Sequence, residues 1–374
     1  MSRFSFNLIS ILLVILFIGI VSSFFYQNQL FNKTKDLLYF SKPIISISLG
    51  YFLIKKINDQ SYFLKTIIYI SLIFAIFHII SVFINTDFST DSINDIRNTN
   101  GLGNQLELLA LIILVSLFKY NYLQIAIKRK KLLIFIISLS AILYFSRTMV
   151  VAFIIMILAI NGYTKFTAKG FKYGLIVISL MGLFYFYLFS IDLKRDEPGI
   201  ESFLYKMKIA PSEIFYAVKK IDTKNHKKLW DHWRAYEANM AYQQMKLQPL
   251  SFFNGYGFGS KVDLKFVAPL NEQGIRHIPI LHNGYFNVLF KTGLIGLFFY
   301  MSFLLLLYVQ SYKNKISTDE QVIRNFISAL GLYFIFTSLI ITRIYNLEEN
   351  YTFILGGFLF LLSKYTTNQL SNNN

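Results

Sequence analysis

KLWDHWRAYEANMAYQQMK (residues 228–246), NGYGFGS (254–260) and HNGYFNVLFKTGLIGLFFY (282–300) are three pieces of one stretch around which the rest of the chain is arranged. This stretch is the only long polar excursion in a chain that otherwise consists of apolar runs. Its last piece passes from His282 and Asn283 directly into another apolar run. We therefore expect it to bring ionisable groups to the mouth of a membrane bundle, with the rest of the chain as scaffold.

The composition is that of a membrane protein. Of the 374 residues, 55% are hydrophobic, and 39 Phe and 25 Tyr are more than soluble domains usually contain. A transmembrane helix needs about 20 apolar residues, so the sequence predicts an all-α fold, a polytopic membrane helix bundle of about ten spans. The predicted spans lie near residues 5–25, 37–54, 62–84, 105–118, 132–146, 148–163, 171–191, 292–310, 323–342 and 351–363.

The predicted organisation has seven spans in residues 1–191, an extracytoplasmic loop at 192–281, three spans in 282–363 and a disordered tail at 364–374. The net charge is +17, and the Lys and Arg of the short loops concentrate on one side, as in KRKK at 128–131. By the positive-inside rule, both termini are cytoplasmic and the large loop is periplasmic. Topology thus explains the charge, and no nucleic-acid partner is expected. The absence of cysteine excludes disulfides and thiol chemistry.

The long loop is predicted to contain an amphipathic helix. Apolar side chains recur there at helical spacing, and these are Leu229, Trp230, Trp233, Tyr236, Met240 and Met245. Pro249 and the glycines at 255, 257 and 259 end the pattern. We expect the aromatic face of this helix to lie on the outer leaflet or to cap the bundle.

Arg147 lies between two apolar runs in LYFSRTMVV (143–151), with no polar loop around it. The hairpin therefore turns at or slightly below the outer surface, and the guanidinium lies at membrane depth. Ionisable groups at that depth are costly unless partnered, which indicates a functional site or a buried ion pair. Snorkelling to the interface is the structural alternative.

Two further arginines are weaker candidates by themselves. Arg97 lies in the outer loop and has local acidic neighbours, so a solvated role would explain it. Asn104 and Glu107 begin the next span, where a cap and a first-turn acid suit the helix dipole. Arg234 shares its helix with acidic residues three positions to either side, so a surface ion pair with Asp231 or Glu237 is the structural alternative.

His282 is the best placed of the five histidines, because it stands where the loop re-enters the bundle. Imidazole is suited to accept a hydroxyl proton near neutral pH. Lys42 and Lys291 lie at span positions from which we expect them to snorkel outward. The predicted topology places Arg97, Arg147, Arg234 and His282 on the same outer face, where guanidiniums suit a lipid diphosphate and the imidazole an attacking hydroxyl. No metal-binding motif is present, and no metal or other cofactor is expected.

Four pieces of the sequence resemble, in order, the O-antigen ligase/polymerase family of bacterial envelope glycosyltransferases. RNTNGLGNQLELLAL resembles its Arg-then-Asn entry to a span, and YFSRTMVVAF its Ser-Arg hairpin. WRAYEANMAYQQMKLQPLSFFNGYGFGS resembles its loop helix with a Gly-x-Gly turn, and HNGYFNVLFKTGLIGL its His-Asn-x-aromatic stretch. The match covers roughly residues 97–300. Arg234 follows Trp230 and Trp233 here, whereas family members commonly place the Arg before the Trp.

The resemblance implies a metal-independent membrane glycosyltransferase that uses an undecaprenyl-diphosphate-linked oligosaccharide. The implied catalytic residues are His282, Arg147 and Arg234. The residues implied for substrate binding are Arg97, Asn104, Trp230, Asn283 and Tyr285. The expected function is that of an O-antigen or capsule polymerase in the bacterial inner membrane, beside a chain-length regulator and a flippase. The alternatives are the ligase that transfers the glycan to lipid A-core and a lipid-linked oligosaccharide flippase.

Overall fold

The computed structural model describes residues 1–57, 59–87, 103–120, 122, 125–195, 200–215, 226–269, 274–313 and 317–372. Helices dominate the described chain. In order they are α1 (Arg3–Ser22), α2 (Leu30–Lys55), α3 (Ser61–Asn85), α4 (Asn104–Lys119), α5 (Lys130–Leu143), α6 (Arg147–Ile160), α7 (Ala168–Ser190), α8 (Ile200–Phe215), α9 (His226–Asp231), α10 (Trp233–Lys246), α11 (Ser251–Asn254), α12 (Gly284–Tyr308), α13 (Thr318–Thr337) and α14 (Tyr351–Asn372). Two strands, β1 (Val262–Ala268) and β2 (Ile275–Ile278), pair antiparallel.

The predicted all-α fold is confirmed, because a helix occupies each of the ten predicted spans. Within the described chain, five helical segments are long and apolar enough to cross a membrane, namely α1, α2, α3, α7 and the segment Gly284–Tyr312. The helices at the other predicted spans are shorter or less apolar. Helix α14 also continues through residues 364–372, where the sequence predicted a disordered tail. Extending an existing helix adds one hydrogen bond for each residue that is fixed, so polar residues can prolong it.

The chain forms two compact units. The first consists of Met1–Phe52, Ala210–Leu307 and Phe334–Leu359. The second consists of Leu53–Ile209, Tyr308–Tyr333 and Phe360–Asn374. Each unit therefore combines segments that are far apart in sequence.

In the first unit, the loop helices pack against the β-hairpin. Leu229, Trp233 and Tyr236 form one buried core with residues of the hairpin, including Val262 and Ile278, which lie opposite each other in the antiparallel register. The expectation that this aromatic face contacts the outer leaflet is therefore wrong for these side chains, since the hairpin covers them. Burying one large apolar side chain contributes about 1.5–3 kcal/mol, so this core fixes α10 firmly.

The glycine-rich turn after α11 packs against a break in α12. The backbone N–H of Tyr256 donates to the Phe290 carbonyl at 2.8 Å, and that of Gly257 donates to the Lys291 carbonyl at 3.0 Å. These carbonyls lie just before Gly293, whose φ of 67° interrupts the helix. That conformation is readily adopted only by glycine. The glycine-rich turn therefore holds the end of the first part of α12, which begins just after His282 and runs up to the break at Gly293.

The sequence predicted that Lys291 snorkels outward. This prediction is wrong, because Lys291 is buried with only 1% of its side chain exposed. Its Nζ lies 2.6 Å from Oδ2 of Asp36, and the same oxygen accepts a hydrogen bond from the Gly259 backbone N–H at 2.6 Å. Asp36 is 255 positions away in sequence, so no local pattern predicts the pair. Removing one partner of a buried ion pair typically costs about 3–5 kcal/mol.

Lys42 also binds protein rather than reaching outward. Its Nζ donates to the backbone carbonyls of Asn346 at 2.7 Å and Glu349 at 2.9 Å, and it also contacts the Leu347 carbonyl. The same loop contains Arg343, which is buried and pairs with the Glu349 carboxylate at 2.9 Å. Lys42 therefore holds this loop within the first unit.

In the second unit, α4 occupies the centre. It packs against α3, α5 and α6, and its residues from Leu108 to Leu114 are all buried. A helix that is apolar on every side is stable only when it is surrounded. The neighbouring helices therefore form a layer around α4, and the hairpin between α5 and α6 presents Arg147.

Candidate active site

His282 lies on a carboxylate that α10 supplies. Its ring Nδ1 is 3.0 Å from Oε1 and 3.1 Å from Oε2 of Glu237, and its backbone N–H donates to Oε2 at 2.8 Å. A carboxylate only accepts hydrogen bonds, so Nδ1 carries the proton in the neutral ring. Nε2 is then the nitrogen with the free electron pair.

The two partners differ sharply in exposure. The His282 side chain is 53% exposed, whereas that of Glu237 is 1% exposed. A buried carboxylate that fixes the tautomer and the orientation of an accessible imidazole is the arrangement by which an enzyme prepares a general base. The geometry therefore allows Nε2 to accept a proton from a bound hydroxyl group.

On balance, the surroundings of His282 raise its pKa and so favour the protonated imidazole. The hydrogen bond to Glu237 raises the pKa of His282 above its ordinary value, and burial and the nearby Arg234 oppose this rise. The imidazolium that forms after proton transfer is thus stabilised by the carboxylate.

Arg234 is held by two acceptors. Its Nη1 lies 2.8 Å from Oε2 of Glu213, and its Nε donates to the Ile340 carbonyl at 3.0 Å. The side chain is 31% exposed. A local ion pair of Arg234 with Asp231 or Glu237 was the structural alternative. The Glu237 carboxylate, however, accepts hydrogen bonds from His282. Arg234 is thus a partly exposed cation, and its charge acts to lower the pKa of His282.

The remaining predicted binding residues of this unit serve mainly the protein. The Asn283 side chain accepts from the Phe286 N–H at 3.1 Å, so it caps the start of α12. The Tyr285 hydroxyl donates to the Ile335 carbonyl at 2.8 Å. Trp230 is 40% exposed and packs its ring against Trp233. Of these three, Trp230 presents the largest surface to a ligand.

Arg147 belongs to the second unit and is the first residue of α6. Ser146 caps this helix, because its side chain accepts from the Met149 N–H. Phe145 has a φ of 43°, a left-handed conformation that turns the chain sharply at the hairpin. The guanidinium donates to the Lys206 carbonyl. The prediction of a hairpin at this position is confirmed.

A buried polar network precedes this hairpin. Nδ1 of His78 lies 2.9 Å from Oγ of Ser140, and the Tyr144 hydroxyl donates to Oε1 of Glu107 at 3.0 Å. The rings of His78 and Tyr144 stack with centroids 3.8 Å apart. Glu107 is thus more than a first-turn acid near a helix dipole. Asn104, which begins α4, does not cap it, since Gly103 occupies the N-cap position.

Arg97 lies outside the described residues, so its role stays a prediction. No group of His, Asp or Glu that could hold a metal ion occurs among the residues that the structure describes.

Glu237 is a candidate site residue that the sequence reasoning missed. It lies four positions after Trp233 and four before Ala241, both of which are buried. Residues at that spacing share one face of a helix. A carboxylate on the buried face of a helix requires a partner. The spacing of Glu237 from Trp233 and Ala241 therefore indicated a cation or an imidazole from a distant segment.

Comparison with known families supports the resemblance. The family model for O-antigen ligases matches residues 132–301, which include Arg147, Arg234 and His282. No curated protein and no solved structure matches the chain at a significant level. Members of the matched family are membrane glycosyltransferase-like enzymes of the ligase and polymerase type, with lipid-linked polysaccharide substrates. Over residues 132–301, the chain is therefore similar to the O-antigen ligase family, in agreement with the resemblance of its motifs.

Proposed function

We propose that this protein is a polysaccharide polymerase that transfers a glycan from undecaprenyl diphosphate to a hydroxyl group of a second lipid-linked repeat unit. The observation that carries the proposal is the half-exposed His282 ring on the buried Glu237 carboxylate, within the O-antigen ligase family domain. The reaction needs a general base for a hydroxyl group, and this pair supplies one.

In the proposed step, the acceptor oxygen forms a bond to the anomeric carbon of the donor glycan. The bond between that carbon and the diphosphate oxygen breaks, and the electron pair leaves with undecaprenyl diphosphate. Nε2 of His282 takes the hydroxyl proton, and the resulting imidazolium is stabilised by Glu237 until the proton passes to water. The step requires no nucleotide sugar and no metal ion.

Arg147 and Arg234 are the cations that we assign to the diphosphate. A guanidinium presents paired N–H donors that match phosphate oxygens. Arg147 now donates to a neutral carbonyl, and a charged phosphate oxygen is a stronger acceptor. Stabilising the leaving diphosphate in this way lowers the barrier as the bond to the anomeric carbon breaks. Trp230, with its exposed ring, is assigned to sugar contact.

The proposed location is the inner membrane, with both termini cytoplasmic and the large loop periplasmic. Topology reporters fused at Lys130 and Lys169 should report cytoplasm. Reporters at Lys220 and Asn346 should report the periplasm. A cytoplasmic signal at Lys220 would remove the proposed site from the compartment in which lipid-linked repeats are polymerised.

The experiment that tests the function is the lipopolysaccharide pattern of a strain that lacks this gene, together with the purified protein. Loss of a polymerase leaves one repeat on lipid A-core, whereas loss of a ligase leaves polymer on the carrier and none on core. Loss of a flippase leaves the repeat on the cytoplasmic side. Purified protein should extend a lipid-linked repeat in detergent without added metal. If it does not, while the strain accumulates carrier-linked polymer, the ligase alternative replaces the proposal.

A further inference from the structure

The glycine-rich turn (residues 255–260) contacts the two helices that bring the proposed base together with its carboxylate. The Tyr256 hydroxyl donates to the Gln244 carbonyl at 2.8 Å, and Gln244 lies on α10, which also carries Glu237. The backbone N–H of Tyr256 donates to a carbonyl in the first part of α12, which begins just after His282. The turn therefore links the segment of Glu237 directly to that of His282.

Two buried charges fix this turn to α2 and α12. Nζ of Lys291 on α12 lies 2.6 Å from Oδ2 of Asp36 on α2, and the two side chains are 1% and 5% exposed. The same Asp36 oxygen accepts a hydrogen bond from the Gly259 backbone N–H at 2.6 Å, and the Lys291 ammonium also donates to the Ser260 carbonyl. Each charge therefore binds both the opposite charge and the backbone of the turn.

The connection between α1 and α2 packs against the same turn. The side-chain amide of Asn28 donates to the carbonyls of Tyr256 at 3.2 Å and Phe258 at 3.0 Å. Gly257 has a φ of 73°, and a Cβ added to it would lie 2.3 Å from the backbone nitrogen of Ser23. The packing leaves no room for a side chain there, so the turn has little space in which to shift while the ion pair is intact.

A gain in stability does not by itself account for the pair. Replacing a buried ion pair by apolar side chains of similar volume is often neutral or stabilising, because two charges lose their hydration on burial. What charged partners add is geometry, since each hydrogen bond has a preferred length and direction. At this place, the geometry that they determine is that of the turn between Glu237 and His282.

We infer that Asp36 and Lys291 are positioning residues for the proposed base: they hold the turn, and the turn keeps the His282 ring on the Glu237 carboxylate. The inference rests on the proposed function and adds to it two residues that act through the fold. A displacement of about 1 Å at a reacting group can lower a rate by about a hundredfold. Loosening the turn should therefore slow proton transfer although no residue that contacts substrate is changed.

Two double variants separate positioning from stability. Asp36→Asn with Lys291→Met removes both charges of the pair, so no buried charge loses its partner, and the Asn side-chain oxygen can still accept a hydrogen bond from the turn. The control is Glu320→Gln with Arg324→Met, which removes another buried ion pair, of 2.7 Å, from α13 in the second unit. Tyr256→Phe is a milder single variant, because it removes only the hydroxyl that contacts α10.

The first measurement is the pKa of His282 in the full chain in detergent, by NMR with isotope-labelled histidine and assignment from His282→Gln. In wild type the hydrogen bond to Glu237 raises this pKa against the effects of burial and of Arg234, which every variant retains. The double variant of the pair should have a lower His282 pKa, close to that of Glu237→Gln. Its kcat should be lower by about tenfold to hundredfold, with KM little changed. Tyr256→Phe should shift both values in the same direction, and the control should match wild type in both, even with a lower Tm.

An unchanged His282 pKa and an unchanged kcat in the double variant of the pair would overturn the inference and leave the pair a purely structural role. An equal fall in the Glu320→Gln, Arg324→Met control would also overturn it, because general loosening of the protein would then explain both. If the double variant does not fold, Tyr256→Phe decides by the same two readings. Wild-type protein that does not transfer glycan would contradict the proposed function, whereas the NMR comparison would still decide whether the pair positions His282.

Discussion

Two histidines of this protein have opposite surroundings. His78, in the second unit, is buried, with Nδ1 on the Ser140 hydroxyl and its ring stacked on that of Tyr144. His282, in the first unit, is 53% exposed and rests on the buried Glu237 carboxylate. Both have Nδ1 engaged by a protein group. They differ in whether Nε2 is accessible to a substrate.

The difference indicates where chemistry can occur. Nε2 of His78 is buried and has no hydrogen-bond partner among the residues that the structure describes. No hydroxyl group of a glycan can reach it without opening the bundle. At His282 the carboxylate is buried and the imidazole is accessible, which is the combination that general-base catalysis requires. A polar network inside a bundle is better suited to fixing helices.

Removing the accessible imidazole should change the activity most. His282→Ala should lower the rate of glycan transfer by about 10²–10⁴-fold, with little change in donor affinity, because the hydroxyl proton loses its acceptor. His282→Gln should recover little, since an amide can bind a hydroxyl group but cannot take its proton. Turnover by purified protein with a lipid-linked repeat measures both variants.

A matched control is His277→Gln. His277 lies on β2 and is 54% exposed, nearly the same as His282. This variant should transfer glycan at the wild-type rate. A His282→Gln protein as fast as wild type would reduce His282 to a positioning role and would remove the contrast with His78.

The next effect concerns Arg147, which follows the His78 network in the chain. Arg147→Ala should abolish transfer, and Arg147→Lys should lose about 10²–10³-fold, because a point charge cannot reproduce paired contacts to phosphate. Protein levels should stay near normal. Arg276→Lys is the control, since Arg276 is an exposed hairpin residue paired with Asp263. Full activity of Arg147→Lys would show that charge alone matters there.

The smallest effect on activity is expected at the buried histidine. His78→Asn should reduce stability by about 1–3 kcal/mol, because the Ser140 hydroxyl loses one of its partners in a buried site. The rate for each folded molecule should stay at the wild-type value. Thermal unfolding and turnover, normalised to folded protein, measure the two effects. A large loss of turnover at unchanged stability would mean that the closed network takes part in the reaction.

The sequence predicted the helices because each span needs a long apolar run, and such runs can be read directly. It did not predict the β-hairpin, since β1 and β2 are short and their burial depends on α10. Glu237 was considered only as a possible local surface partner of Arg234, because His282 lies 45 positions away. Lys291 was assigned to the surface for the same reason, since Asp36 is distant in sequence. Local patterns identify spans, whereas pairs between distant segments depend on tertiary packing.

The pH dependence of glycan transfer by wild type and by Glu237→Gln tests whether His282 is the general base and whether Glu237 holds it. The neutral imidazole accepts the proton, so transfer rises with pH through the pKa of His282. The hydrogen bond to Glu237 raises that pKa. Replacing the carboxylate should therefore move the acid limb of the kcat/KM profile to lower pH, with a reduced plateau, while His277→Gln leaves the limb in place. An acid limb that does not move in Glu237→Gln would contradict the assignment of His282 as the base held by Glu237.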